Sequence, residues 1–524
     1  MSKIRNILFI MTDQQRWDYL GAAGHKSLRT PVLDALAAEG VMFTNAYCNS
    51  PICGSSRMCF YTGRYMSSHG ANSNGFPLAL NQKTLGEHLR PLGMRTTLVG
   101  KTHMTADMAG IERLGLDPED PDVIMLKECG FEAFERDDGL WPDQMNPKNL
   151  PYNRWLREKG YEGDNPWHDY ANSAEGPNGE VLSGWYMRHC HLPARVREEH
   201  SETSYMTDRA LEFIDEAENE PWCMHLSYIK PHWPYMAPAP YNDMYGKADI
   251  APAVRNEAER EDPHPVYRAY MNHIDSESFA RDEVRENVIP AYMGLITQID
   301  THLGRVFDRL KETGQWDETM IVFTSDHGDN LGDHWLGEKE LFHDCSVRIP
   351  LIIRDPRAEA DATRGTVSEA LVESIDLVPT FVQAAGGAGE DGQWMEGRSL
   401  HPLLHDKDET WRDAVFAETD YATRAARREL GVAPSEARGV MVRTGDWKYV
   451  YWHGFRGQLF DLKADPDELN DLGNSPQHER ICAELRDMVL DFLAVRRTRV
   501  TIDDATIEKR TATAEKRGFL IGYW

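Results

Sequence analysis

Cysteine is scarce in this chain: there are eight in 524 residues, and no two are spaced as a Cys-x-x-Cys pair. Neither a disulfide framework nor a zinc ribbon is indicated, and reduced thiols lead us to expect a cytoplasmic protein. Positive charge is also short, 57 Lys and Arg against 85 Asp and Glu, a formal net charge of −28. A field of that sign disfavours nucleic acid and anionic membranes as partners. Long apolar runs are missing. Ile7 to Met11 is too short for a signal-peptide core and no cleavage site follows it. No stretch approaches the length of a membrane span. An anionic substrate would therefore have to be met locally, by Lys, Arg, His and metal placed against the global charge.

The hydrophobic share of 41% and charged share of 27% are ordinary for a soluble globular chain. The length suffices for one large α/β domain and a smaller one. One stretch organises the rest: Cys53-Gly-Ser-Ser-Arg57, inside Pro51 to Arg64. If Met58 to Tyr61 begin a helix, Cys53 lies just before its N-terminus, where free N–H groups and the dipole favour an anion. Beside Arg57, such a cysteine is either a nucleophile of lowered pKa or a buried thiol.

Asn6 to Thr12 reads as a buried central strand, with Asp13 and Gln14 at its C-terminal end, the edge where open α/β sheets bind ligands. Their oxygens suit Ca²⁺, Mg²⁺ or Mn²⁺; a helix cap is the lesser alternative for Asp13. Pro31 to Gly40 has helical spacing, Val41 to Ala46 a strand, and His69 to Gly75, including Asn74, a loop. Thr84 to Leu92 predicts a helix and Arg95 to Val99 a strand ending in Gly100-Lys101-Thr-His103. Alternation along an extended chain puts Lys101 and His103 on one side, at the site or simply on the surface. Residues 104–201 read as an insertion of loops. A helix over Met206 to Ala217 and a strand over Trp222 to Tyr228 lead to Lys230-Pro-His232-Trp-Pro234, where two prolines hold an acid–base candidate, His232. Asp249 to Glu286 is charged and expected to face solvent. Pro290 to Lys311 is the clearest helix. The strand Thr319 to Thr324 ends in Ser325-Asp326-His327-Gly328; Lys339 follows, then a strand from Val347 to Ile353 and a helix entered at Ser374 to Thr380.

Strand–helix alternation predicts a doubly wound α/β sheet with helices on both faces. We assign it residues 1–410. Residues 411–495 predict a small α+β domain: a hairpin over Gly439 to Trp452, a short strand at Gln458 to Leu462 and an amphipathic helix from Glu479 to Val495. Residues 496–524 form a charged arm with an apolar end, Phe519 to Trp524.

The cysteine motif resembles the Cys-x-[Pro/Ser/Ala]-x-Arg signature of type I sulfatases in the alkaline phosphatase superfamily, with Ser55 where most members have Pro. Ile-Met-Thr-Asp13, Gly100-Lys-Thr-His103, Lys230-Pro-His232, Ser-Asp326-His327-Gly and Leu-Phe-Asp-Leu-x-x-Asp465-Pro-x-Glu468 extend the resemblance over nearly the whole chain. It is nearest to the bacterial arylsulfatase and phosphonate monoester hydrolase branch, which shares the Asp-Gln and Asp-His pairs. The resemblance implies an alkaline-phosphatase-like mixed sheet and a formylglycine made from Cys53 by a maturation enzyme. It implies one divalent metal, Ca²⁺ or Mn²⁺, on Asp13, Gln14, Asp326, His327 and the residue-53 hydrate. Arg57 would hold that hydrate, Lys101 and Lys339 the substrate oxygens, and Asn74 a further substrate contact. His232, with Lys339, would protonate the leaving group, and His103 would take the proton that releases the product. Lys101 and His103 match sulfatases, whereas phosphonate monoester hydrolases have Tyr and Thr there. Sulfate ester hydrolysis is therefore the expected activity, with phosphonate monoesters and phosphodiesters as secondary substrates. A phosphonate hydrolase or phosphodiesterase, or a non-catalytic anion binder, are the alternatives. The apolar end of the arm predicts a homodimer or homotetramer.

Overall fold

The computed structural model describes residues 3–139, 150–217, 219–389, 394–407, 409–511, 513, 516 and 518. Its centre is β1, Asn6–Asp13, every residue of which is buried. Continuous apolarity has a direct consequence here. Ile7, Phe9 and Met11 point into one core and Leu8 and Ile10 into another, so both faces of the strand must be covered.

Seven further strands join β1 in one sheet. They are β2 (Val41–Phe43), β3 (Arg95–Gly100), β4 (Glu132–Arg136), β5 (Trp222–Pro231), β6 (Thr319–Ser325), β7 (Leu351–Arg354) and β8 (Thr366–Ser368). Their order across the sheet is β8-β2-β7-β6-β1-β5-β3-β4. Only β7 runs against the others, pairing antiparallel with both β6 and β2, so the sheet is mixed. Helices α1 (Pro31–Glu39), α2 (Cys53–Thr62), α3 (Glu202–Glu216), α4 (Asp282–Glu312) and α5 (Leu377–Ala384) cover it. The apolar stripes of α1, α3 and α4 share the core of Leu8 and Ile10, and those of α2 and α5 the core of Phe9.

The register brings the site together. Met11 stands opposite Ser227 of β5 and Thr324 of β6, and Gly100 stands opposite Ser227. The C-terminal ends of β1, β3, β5 and β6 are therefore neighbours, as a parallel sheet requires of strands that end together.

Several boundaries differ from the sequence-based expectation. Helix α2 begins at Cys53 and not near Met58, because its first turn is already buried and needs no apolar spacing to be held there. The strand over Val41 to Ala46 is broken into Val41–Phe43 and Ala46–Tyr47. Residues 104–201 are not all loops over the sheet, since they supply the edge strand β4, paired parallel with β3. The strand at Val347 starts only at Leu351, and Asp344–Val347 is a helical turn. His69 closes a short helix, Met66–His69, before the loop. Helix α4 starts eight residues before Pro290, which sits inside it. The 249–286 segment is not generally solvent-facing: Val266, Tyr267, Ala269 and Tyr270 of the helix Pro265–Met271 are buried.

Beyond residue 411 a four-stranded antiparallel sheet forms from β9 (Ala414–Asp420), β10 (Arg438–Thr444), β11 (Trp447–Trp452) and β12 (Gln458–Asp461). β9 was not expected from the sequence. Helix α6, Glu479–Ala494, packs on it, and Val440, Val442, Leu459, Val489 and Phe492 share a core with Tyr65, Met66 and Ile375 of the larger part. The apolar end Phe519 to Trp524 lies outside the described residues.

Candidate active site

Asp13, at the end of β1, is fully buried. Lys101 Nζ donates to its Oδ2, and Arg57 Nη2 donates to the same oxygen at 3.2 Å. Burial and the Cys53 sulfur push this carboxyl up, but Lys101, His232 and Arg57 together hold it well below the usual carboxylate range. Asp326, just past β6, is equally buried and accepts from Arg57 Nε at 2.9 Å, from Gln14 N at 3.0 Å and from His327 N at 2.9 Å. Burial and the neighbouring Asp13 charge push its carboxyl up. Arg57 thus bridges the two acids. Its Nη1 donates to Lys101 O and Ser227 Oγ, at 2.9 and 2.8 Å. It acts on Cys53 through its charge and has no hydrogen bond to that sulfur.

Cys53 occupies the first position of α2, so its Sγ lies against the electropositive end of that helix. Sγ is 3.0 Å from His327 Nε2 and 3.9 Å from Asp13 Oδ1. Burial opposes the thiolate. Lys339, His327 and hydrogen bonds from His103 and His232 outweigh it and bring the thiol well below its ordinary range. Asn74 Oδ1 accepts the Gly54 N–H at 2.8 Å, tying the predicted substrate-contact residue to the first turn of α2.

Ligand atoms of Asp13, Cys53, Asp326 and His327 all lie within 4.8 Å of one another. His327 Nδ1 bonds to Gly328 O at 2.8 Å, which turns Nε2 toward the cluster. Burial lowers the His327 pKa, but Asp326 and Cys53 raise it to about 9, so the cluster draws positive charge to itself. Two buried carboxylates, an imidazole nitrogen and the residue-53 atom fit a divalent cation that prefers oxygen. Gln14 adjoins them, with a left-handed φ of 68°. Its Oε1 accepts from Lys339 Nζ at 2.8 Å, and its Nε2 donates to Asp329 and Tyr235.

Lys101 and His103 both reach this centre, but not by alternation. His103 has a φ of 55°, and Asp138 Oδ1 accepts from the N–H groups of Thr102 and His103, at 3.0 and 2.8 Å. A turn, not an extended strand, sends Lys101 to Asp13 and His103 to Cys53. Gly100 allows it: φ is +112°, and a Cβ there would lie 1.9 Å from Ser227 O.

His232 follows β5. Its Nδ1 bonds to Trp233 O at 2.7 Å, leaving Nε2 to meet Lys339 Nζ at 3.3 Å and Asp13 Oδ1 at 4.0 Å. Burial and the Lys339 charge lower its pKa to about 4. Cys53, Glu338 and Asp13 hold Lys339 charged against its burial. A cavity of about 490 Å³ opens beside Lys339, walled by Trp185, Trp233, Tyr235, Tyr270, Phe279 and Arg424.

All the residues singled out from the sequence therefore surround one centre. Asp138, Ser227, Tyr235 and Asp329 also hold it and were missed. Each acts through a partner distant in sequence, and only the Asp137-Asp138-Gly139 turn carried a local sign.

The family model described as Sulfatase matches residues 5–388, and that described as N-sulphoglucosamine sulphohydrolase, C-terminal, matches residues 332–494. Among curated proteins, the Multifunctional alkaline phosphatase superfamily protein PehA of Trinickia caryophylli is 32% identical over 515 residues, covering 93% of this chain and 95% of that protein. The Arylsulfatase of Clostridium perfringens is 29% identical over 506 residues, covering 93% and 94%. The solved structure of phosphonate monoester hydrolase SpPMH from Silicibacter pomeroyi superposes with a TM-score of 0.83 at 29% identity, covering 96% of this chain and 98% of that one.

Proposed function

This chain belongs to the sulfatase family of the alkaline phosphatase superfamily, and on that premise we propose that it hydrolyses sulfate monoesters, with phosphonate monoesters and phosphodiesters as secondary substrates. The observation that carries the sulfate reading is the convergence of Lys101 and His103 on Asp13 and Cys53. When present, a formylglycine at position 53 supplies the nucleophilic oxygen, and a Ca²⁺ or Mn²⁺ ion on Asp13, Gln14, Asp326 and His327 supplies Lewis-acid polarisation.

The chain's own residues do the rest. Arg57 bridges the two carboxylates and offsets their charge. Lys101 and Lys339 bind the non-bridging oxygens of the ester, where their attraction grows as charge develops in the transition state. The Lys339–His232 pair holds the proton that the leaving oxygen needs. The fixed Nδ1–H of His232 leaves only Nε2 to pass it on. His103, at Cys53, takes a proton from the residue-53 oxygen to release the product. Trp185 and Trp233 wall the space for the organic group. Asn74, tied to the first turn of α2, is kept as a substrate contact.

The likeness to SpPMH and to a relative described as multifunctional favours a second reading, a phosphonate monoester hydrolase. Comparing kcat/KM on 4-nitrophenyl sulfate and on 4-nitrophenyl phenylphosphonate, with matured and metal-loaded protein, decides between them. Sulfate should be the better substrate. The reverse order would make the second reading the main activity, and no turnover of either after complete Cys53 oxidation would leave an anion-binding relative.

We keep 1–410 as the catalytic unit, 411–495 as the smaller one and the arm beyond as an assembly element. No helix among the described residues is long and apolar enough to cross a membrane. Phe519 to Trp524 would expose three aromatics and two aliphatics in water, and burial between subunits favours each by about 1.5–3 kcal/mol for the Phe, Leu and Ile class. A variant ending at Arg517 should show a lower oligomer state by light scattering than the full chain. An unchanged mass and melting temperature would remove the arm from the interface.

A further inference from the structure

Lys339 reaches His232 and Gln14 on a stretch of backbone that most residues avoid. Between positions 331 and 340 five non-glycine residues have left-handed φ: Leu331 (47°), His334 (54°), Trp335 (63°), Glu338 (59°) and Glu340 (94°). Leucine, tryptophan and glutamate gain nothing intrinsic from that region. Such a run persists only where the surroundings over-determine it.

The surroundings are the segment 254–285, the charged stretch expected to face solvent. Val254 O accepts from His334 N at 2.8 Å, and Val254 N donates to Asp333 Oδ1 at 2.9 Å. Trp335 Nε1 donates to Asn256 O at 2.7 Å, with the Arg255 and Arg260 guanidiniums 4.4 and 4.7 Å from its ring centre. Arg255 and Arg285 donate to the carbonyls of Gly332 and Leu331, at 3.1 and 3.0 Å. Tyr267 OH donates to His334 O at 2.9 Å.

Glu259 ties these contacts together. Its Oε1 is 2.8 Å from His334 Nδ1 and 3.5 Å from Tyr267 OH, and its Oε2 accepts from Asn256 N at 2.8 Å. The Glu259 and His334 side chains are only 6% and 4% exposed. One carboxylate therefore fixes the His334 ring and the turn that receives Trp335, and packs beside the tyrosine that holds the His334 carbonyl.

We propose that Glu259 is a positioning residue for Lys339, holding the left-handed run 331–340 so that the amine meets His232. Without it the run relaxes toward ordinary backbone, and Lys339, five residues beyond His334, shifts from His232. The inference rests on the leaving-group role given above to the Lys339–His232 pair.

Two esters of the same acid test it, one with a good leaving group such as 4-nitrophenol and one with an alkyl alcohol. Proton donation matters most for the poor leaving group. Glu259→Ala should lose about ten- to a hundredfold more kcat on the alkyl ester than on the nitrophenyl ester, with KM little changed. Glu259→Gln keeps an oxygen for the His334 ring but turns its NH₂ toward the Asn256 N–H, so it should recover only part of that loss. Equal losses on the two esters, or none, would overturn the proposal, because general destabilisation has no leaving-group bias. Tyr267→Phe should show the same bias and decides the matter if Glu259→Ala does not fold. Lys339→Met is measured beside them. If it lacks the bias, both the leaving-group role and the positioning role fall. If it has the bias and Glu259→Ala does not, only the positioning role falls.

Discussion

Cys53→Ala should lower kcat/KM by about four orders of magnitude or more while the chain stays folded. The effect is this large because the substitution deletes the attacking atom itself and leaves every surrounding charge in place. Lys101 and Lys339 still bind an anion, so substrate affinity should change far less than turnover. Folding should be spared, since only one sulfur is removed from the first position of α2, where the hydrogen bonds of the helix are made by the backbone. The expectation also concerns the residue's chemical state. Peptide mass spectrometry of active protein should show position 53 without its thiol. Fully active protein carrying an intact Cys53 thiol would sink the formylglycine mechanism, even though the depressed thiol pKa would still permit a sulfur nucleophile.

Asp326→Asn should cut the affinity for the divalent ion by about a hundredfold or more, and activity with it. Asp326 Oδ1 accepts two backbone N–H groups, from Gln14 and His327, and Oδ2 accepts Arg57 Nε. Neither oxygen can become an NH₂ without facing a donor. Asparagine therefore removes a charge from the cluster and also disturbs Arg57, which aligns Asp13. The check is independent of turnover. Metal content per subunit should drop below one, and the rise in melting temperature on adding Ca²⁺ or Mn²⁺ should vanish. Undiminished binding in the variant, or two tightly held zinc ions in the native protein, would remove this ligand set.

The central strands and their terminal residues were legible because burial on both faces leaves a continuous apolar run, and the first polar residue after it marks the sheet edge. That is how Asp13, Lys101 and Asp326 stood out before any coordinates, while His232 stood out for the prolines on either side of it. Helix α4 was legible for a similar reason, its stripe recurring at helical spacing from Leu295 to Leu310. The short elements were not. β4, β9 and the turn that starts α2 at Cys53 are held by neighbours and not by their own periodicity. The segment around Glu259 was misread because charge looks solvated in sequence, while here its carboxylate and guanidinium groups satisfy a strained loop.

By itself the sequence determined the sheet class and the family and marked the candidate site residues, since each is carried by local pattern: apolar runs, the residue after a strand, a five-residue motif. Tertiary structure alone decided their geometry. Parallel register aligns four strand ends, so residues more than three hundred positions apart share one cluster within 4.8 Å. Backbone turns at Gly100 and His103, and the clamp on 331–340, aim Lys101, His103 and Lys339. Contacts of that kind depend on chain crossings in space, and no local pattern of residues encodes which crossing occurs.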